Sequence, residues 1–161
     1  MIPESQLENV VASLHKHLAD NYSLTAIQWP RTEFDSNNVL EWIRPDMFVT
    51  EGAYYRQTGF GREGKDLVIL FNISIFGRRE YIQANSYRLF RIRDTLRDLF
   101  KETTDIPVND WVSGSETPDL IGALRCYAVT TDEDLGEDSG AGVFQRNLSF
   151  DVRWLEQWMV P

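Results

Sequence analysis

The sequence has few of the residues on which disulfide scaffolds and metal centres depend. Of its 161 residues, one is a cysteine, Cys126, and two are histidines, His15 and His17. A single cysteine forms neither an internal disulfide nor a multi-cysteine metal site. Two residues that are two apart on a helix do not share a face, so the histidines do not share a metal. A chain of this length buries roughly 70% of its unfolded surface and folds without such supports.

Long apolar runs are also missing. No stretch of 18 apolar residues occurs, so no transmembrane helix is expected. The first residues carry neither a basic region nor an apolar region typical of a secretory signal, and we expect synthesis in the cytoplasm. With 42% apolar and 25% charged residues, the composition is that of an ordinary globular protein, and residues 1–161 are predicted to form one domain.

The charge is distributed unevenly. Residues 1–101 hold 13 acidic and 13 basic side chains, whereas residues 102–161 hold 12 acidic and 3 basic ones, a net charge of −9. A surface of this sign repels nucleic-acid phosphates, which excludes a DNA-binding protein of the usual basic kind. Two interpretations stay open: a solvated acidic loop, or a surface past which DNA moves without adhering. The candidates for this acidic surface are Asp132, Glu133, Asp134, Glu137 and Asp138.

Hydrophobic periodicity predicts the elements of the first half. Apolar residues 7, 10, 11, 14 and 18 form one stripe of a helix over residues 5–21. A short optional strand at 26–29 is followed by strands at 39–43 and 46–56, separated by Pro45, which marks an edge, a bulge or a bend. Residues 67–76 carry large apolar side chains at every odd position, the period-two pattern of a strand with one buried face.

A long helix over residues 79–102 and three strands at 108–112, 124–130 and 144–154 complete the prediction. An acidic loop at 131–142 joins the last two strands, and residues 155–161 form a short C-terminal tail. The predicted class is α+β, with the order α-β-β-β-α-β-β-β. Its antiparallel sheet, in which mixed pairing is left open, carries two helices on one face.

Two groups of residues stand out as candidate contact surfaces. Arg93 lies near the middle of the apolar stripe of the long helix, where a charge is costly unless it is paired or lies between chains. The alternative is that its long stem carries the charge out to solvent. The intersubunit candidates are Arg88, Arg91, Arg93 and Arg97.

The hairpin over residues 46–66 is the second candidate. A glycine-rich tip with nearby aromatic and arginine residues suits a partner contact, and a plain solvated hairpin is the alternative. Its candidate contact residues are Tyr54, Tyr55, Arg56, Arg62 and Lys65.

The sequence contains two partial matches to known binding motifs, and neither meets the structural or positional requirements of its motif. Residues 59–64 match G-x-G-x-x-G, but they lie between two predicted strands rather than between a strand and a helix, so a hairpin tip is the better interpretation. The spacing Asp132-x-Asp134-x-Gly136 lacks the glycine and the glutamate of a calcium loop at their required positions. We therefore predict no catalytic residue, no cofactor and no metal, and an enzyme is the weaker hypothesis.

The order of elements resembles the tail terminator (tail completion) proteins of long-tailed bacteriophages. The resemblance covers most of the chain and depends on layout: an amphipathic first helix, Trp29-Pro30, a strand at 39–45, a glycine-rich turn at 59–64, an apolar strand leading directly into the second helix, and a closing alternating strand at 144–154. The long acidic segment at 131–142 and the tail at 155–161 depart from the pattern.

This resemblance implies a structural virion protein at the junction of tail and neck. Such subunits form a six-membered ring that caps the tail tube, stops its elongation and presents a surface to the head-neck connector or stopper protein. In contractile tails a related protein also anchors the sheath, and DNA passes through the ring without specific binding. Two observations fit this expectation: an acidic segment suited to a DNA passage, and helix arginines that could meet the acidic third of a neighbouring subunit.

Two alternatives come from the same residues. Another neck or head-completion ring protein would share every feature above. A small α+β enzyme or ligand-binding domain would use a pocket that contains Trp42, Tyr54, Trp111 or Tyr127.

Overall fold

The computed structural model describes the backbone of residues 6–57, 62–138 and 140–159, and the side chains of residues 7–50, 67–138 and 140–154. It has three α-helices, one short 3₁₀ helix (Ser36–Asn38) and six strands within this part of the chain. In chain order the elements are α1 (Gln6–Asn21), β1 (Ala26–Ile27), β2 (Glu41–Gln57), β3 (Arg62–Arg78), α2 (Arg79–Ala84), α3 (Arg88–Leu99), β4 (Asp105–Asn109), β5 (Leu120–Asp138) and β6 (Val143–Met159).

The strands form one mixed sheet in the order β1-β2-β3-β6-β5-β4. Only β1 and β2 run parallel, and every other neighbouring pair is antiparallel. The α+β class is confirmed. The predicted order of elements is not, because the predicted strands at 39–43 and 46–56 are one strand and the second predicted helix is two.

The core lies between one face of the sheet and the helices. The odd positions of β3 from Leu67 to Ile75 are buried, as the alternation predicts. They join the apolar stripes of α1 and α3 in one cluster with residues of β4, β5 and β6; the helix contributions are Val10, Leu14, Leu18, Leu89, Ile92 and Leu96.

Pro45 does not interrupt the second strand. It pairs with Ile73 of β3, and it lies beyond the two residues of β2, Trp42 and Ile43, that β1 covers. The edge position, one of the three predicted alternatives, is therefore the one observed, since an edge strand tolerates a residue without an N–H.

The prediction of one continuous helix over residues 79–102 is wrong, because the structure has two helices there. The break lies at residues 85–87, where the Asn85 backbone leaves the helical region and its side chain donates to the carbonyl of Tyr81. Asparagine and serine compete for backbone hydrogen bonds in this way, which weakens a helix interior. At Gly77, a β-carbon would lie 2.5 Å from the Ile82 side chain, so glycine lets α2 pack tightly on β3.

The prediction of an acidic loop at 131–142 is also wrong, because most of this segment is a β-strand. Residues as far as Asp138 belong to β5 and pair with β6, and the reversal is a short turn in which Gly142 donates to the Asp138 carbonyl. Three register shifts along β5 disturb the period-two pattern, and one of them coincides with Gly136 at φ +72°. The predicted tail at 155–161 continues β6 as far as Met159, which pairs with Arg62.

Candidate functional site: the charged cluster between α3 and β5

A cluster of ion pairs joins α3 to the acidic strand β5. The Arg93 Nε donates to Asp132 Oδ2 at 2.7 Å, and its Nη1 bonds Asp94. From β6, Arg146 donates Nε and Nη2 to Asp132 Oδ1 at 2.9 and 2.7 Å. The Asp132 side chain is 20% exposed and that of Arg146 is 13% exposed. One carboxylate thus bridges two largely buried guanidinium groups.

The electrostatics of Asp132 follow from this geometry. Burial alone raises the pKa of the Asp132 carboxyl, but the hydrogen bonds from Arg93 and Arg146 outweigh it, and the pKa lies below its ordinary value. The hydrogen bond with Asp132 raises the pKa of Arg93 in turn. The cluster therefore keeps its full charge at neutral pH and ties α3 to β5 and β6.

The arginines predicted as intersubunit residues are used in different ways. Arg88 makes a bidentate ion pair with Glu41 of β2, and Arg93 pairs with Asp132. Arg97 lies 3.9 Å from Asp132 and is 43% exposed. Arg91 is exposed and makes no ion pair with any residue that the structure describes. The charge of Arg93 is paired within the chain, with Asp132 and Asp94, and its side chain is 23% exposed.

The candidates for the acidic surface also fall into two groups: some are bonded within the chain and others are exposed. Asp132 and Glu137 are engaged inside the chain, the latter with Arg79. The Asp138 side chain accepts from the backbone of Gly140 at 2.9 Å and shapes the turn. Glu133 and Asp134 are exposed, and the cation nearest Asp134 is Arg146 at 4.0 Å. The pairing of helix arginines with acids of β5 was predicted between subunits, and the structure forms part of it within one.

The hairpin candidates are described only through their backbone. Tyr54 pairs with Lys65, Tyr55 with Gly64, Arg56 with Glu63 and Gln57 with Arg62, so the strands of the predicted hairpin continue to residues 57 and 62. The side chains of Tyr54, Tyr55, Arg56, Arg62 and Lys65, and the tip at residues 58–61, lie outside the described part. Residues 62–64 of the glycine-rich motif belong to β3 and pair with β2, so the described part of the motif lies in a strand and not ahead of a helix.

A second polar network fixes α1 and was missed by the sequence analysis. Asn9 is fully buried, and its Oδ1 accepts from the backbone N–H groups of Trp111 and Val112 at 2.8 and 3.2 Å. Its Nδ2 donates to Asp110 at 3.1 Å, and the Trp111 indole donates to Ser13 at 3.0 Å. The sequence places Asn9 and Ser13 one turn apart beside the apolar stripe, but their partners are about 100 residues away.

The remaining candidates for chemistry lie apart from one another. Cys126 is buried, and burial raises the pKa of its thiol to about 12. His15 lies against Trp29 with ring centroids 5.1 Å apart, whereas His17 donates to the carbonyl of Leu99. Among the side chains of residues 7–50, 67–138 and 140–154, no three histidine, cysteine or acidic groups are placed to hold a metal ion.

The tryptophans and tyrosines of the ligand-pocket alternative are also dispersed. Trp42 is buried and stacks on Phe76, with ring centroids 5.0 Å apart. Trp111 lines a cleft of about 190 Å³ with Lys16 and His17. Tyr127 is 40% exposed, and the Arg153 guanidinium lies 4.4 Å from its ring centroid. The Tyr54 side chain is outside the described residues.

Comparisons with known proteins add no assignment. No family model matches the chain, and no curated protein matches it. None of the helices in the described part of the chain is long and apolar enough to cross a membrane.

Proposed function

We propose that this chain is a structural, ring-forming subunit of the tail terminator kind, which caps a phage tail tube, stops its elongation and presents the surface that the head-neck connector binds. In this role it has no catalytic step and no cofactor. The proposal places it in the virion at the junction of tail and neck, with the tube protein and the connector or stopper as partners.

The observation that carries the proposal is a pair of open sheet edges. Beyond Ile43, β2 has no strand on its outer side among the described residues, and the same holds for β5 beyond Cys126. Unpaired strand edges are templates for pairing with another chain. Phe48 and Val49 on the β2 edge are 59% and 40% exposed, and an exposed hydrophobic edge strand favours pairing with another chain.

The two edges are compatible with a closed ring. Three antiparallel pairings separate β2 from β5, so these two strands run in opposite directions. Rotation about an axis along the strands therefore brings the β5 edge of one copy next to the β2 edge of the following copy as an antiparallel pair. Such a contact is heterologous, and heterologous contacts generate rings when the rotation closes.

The test is the assembly state of the protein alone and with tail tubes. We expect six-membered rings with a central hole, measured by light scattering over a wide concentration range and by negative-stain imaging. The variants Phe48→Lys and Val49→Lys place a charge on the β2 edge and should prevent ring formation, whereas Leu7→Lys on α1 is the control. A wild-type protein that stays monomeric both in solution and on tube ends would overturn the proposal.

Binding to purified tail tubes rather than to heads distinguishes a terminator from another neck or head-completion ring protein. Rings that bind heads and ignore tubes would favour that second assignment.

A further inference from the structure

A small apolar pocket lies between α2, α3 and the first residues of β6. Its volume is about 280 Å³, below the roughly 300–1,000 Å³ that is usual for small-molecule sites. Apolar walls come from Ile82, Leu89 and Phe144, and Phe90 forms part of the lining although it is 47% exposed. A pocket of this size and composition suits one aromatic side chain.

Two charged side chains complete the lining. The Arg146 guanidinium lies 5.2 Å from the Phe90 ring centroid and holds Asp132 with two of its nitrogens. Asp134, whose side chain is 61% exposed, is 4.0 Å from the third nitrogen of Arg146. The Asp134 Oδ1 accepts the backbone N–H of Gly136 at 2.8 Å, whereas the cation nearest its Oδ2, Arg146, is at the limit of contact, so Oδ2 can accept a further ion pair.

The N-terminal end of α3 carries the complementary groups. Tyr87, directly before α3, is 74% exposed, the highest exposure among the large hydrophobic residues whose side chains the structure describes. Arg91 lies one turn further on and is exposed without an ion pair to any described residue. Because Arg88 binds Glu41 of β2, residues 88 and 91 lie on the β2 side of the helix, whereas Phe90 and Arg93 lie on the β5 side.

These two flanks meet in the proposed ring. If the β5 edge of one copy adjoins the β2 edge of the next, then the β5 side of α3 in the first copy faces the β2 side of α3 in the second. In that arrangement Arg91 of one copy, with the exposed Tyr87 one turn before it, faces the apolar pocket of its neighbour, whose rim carries the exposed Asp134.

We propose that this pocket receives Tyr87 of a second copy of the chain, and that Arg91 of that copy pairs with Asp134. The contact rests on the proposed ring and names the side chains that lock neighbouring subunits. A buried aromatic anchor with a charged pair at its rim is the composition of an interface hot spot.

The test uses cysteine pairs across the contact. Full-length protein carrying Tyr87→Cys is mixed with full-length protein carrying Gln83→Cys, which lines the pocket, and a short bismaleimide is added. We expect covalent dimers in the mixture and none when either variant is treated alone. The native Cys126 is 1% exposed, so it stays unmodified. Dimers formed by the Tyr87→Cys protein alone would show a symmetric contact and overturn the proposal.

Loss of the anchor gives a second readout. Tyr87→Ala should raise the concentration at which rings dissociate by about thirtyfold, the effect of losing a hot-spot tyrosine. Tyr87→Phe should have a smaller effect, and Val112→Ala, at another exposed apolar residue, should have none. Circular dichroism of each variant checks that the fold is retained.

The two proposals fail in different ways. Rings that persist in Tyr87→Ala without cross-links would overturn this contact and leave the ring function in place. Loss of tube binding in Phe90→Ala, with rings intact in both variants, would assign the pocket to a tube or neck protein instead. A wild-type protein that is monomeric in solution and on tubes would overturn both.

Discussion

The two long helices pack on the same face of the sheet but are held by different chemistry. Next to its apolar stripe, α1 is fixed by neutral groups, Asn9 and Ser13, which are buried and bonded to residues 109–112. By contrast, α3 is fixed by guanidinium and carboxylate groups, with Asp132 between Arg93 and Arg146. Neutral buried groups need their partners fully inside the chain, whereas partly exposed ions also attract charges from outside it.

The difference separates a structural side of the molecule from a contact side. Around α1 the buried polar groups Asn9 and Ser13 bond residues 109–112 of the same chain, and Lys16 pairs with Asp20. Around α3 and β5 the pairing is incomplete, since Arg91 lacks a partner among the described residues and Asp134 is exposed. We therefore expect changes near α1 to affect stability alone, and changes near α3 to affect both stability and assembly.

The largest effect is expected from Asp132→Asn. The substitution keeps the shape of the side chain but leaves Arg93 and Arg146 largely buried without their shared counter-ion. Breaking a buried ion pair costs about 3–5 kcal/mol, and the partial exposure here places the expected loss in the free energy of unfolding at about 3 kcal/mol. Urea titration followed by tryptophan fluorescence would measure it.

The neighbouring acid supplies the control for this prediction. Glu133 is exposed, so Glu133→Gln should change the free energy of unfolding by less than about 0.5 kcal/mol. Equal effects at 132 and 133 would mean that the cluster does not tie α3 to the sheet.

The second effect is expected from Asn9→Ala on the neutral side. It removes the acceptor of the Trp111 and Val112 N–H groups and the donor to Asp110. Buried donors left without a partner cost about 1–3 kcal/mol, so we expect a loss of about 2 kcal/mol with ring assembly unchanged. The exposed Ser23→Ala is the control, and light scattering at a concentration above the ring threshold measures assembly. Altered assembly at preserved stability would contradict the division between the two sides.

Sequence reasoning worked where one rule governed a whole element. The alternation along β3 predicted its buried face correctly from Leu67 to Ile75, because a strand with one side on the core has to repeat every two residues. The stripe of α1 predicted that helix for the corresponding reason, with a period of 3.6 residues. The α+β class followed from these elements.

The same reasoning failed where local rules compete. Along β5, a run of acids with a glycine resembled a loop, although pairing with β6 makes it a strand, and three register shifts there disturb the period-two pattern. In the second helix, the apolar stripe continued across residues 85–87, whereas the side chain of Asn85 ends the first segment. The pairing of helix arginines with the acidic third was predicted between subunits, but the particular partner of Arg93, Asp132 of the same chain, lies 39 residues away and could not be identified from the sequence.

The smallest expected effect is a difference in how the two sides respond to acid. The folded-state pKa of Asp132 lies below the value of 3.8 for an unfolded aspartate, so its contribution to stability is complete above about pH 4 and is lost as the pH falls through the lower folded-state value. A single carboxyl changes the free energy of unfolding by at most about 1.4 kcal/mol per pH unit. The difference in the free energy of unfolding between wild type and Asp132→Asn should therefore narrow below pH 4. The difference between wild type and Asn9→Ala should change less, because Asn9 and two of its three partners, the N–H groups of Trp111 and Val112, do not titrate. Denaturation curves at pH 7, 4 and 3 would measure both differences in the free energy of unfolding. If both differences narrow equally as the pH falls, acid acts on the whole sheet rather than on the α3 cluster.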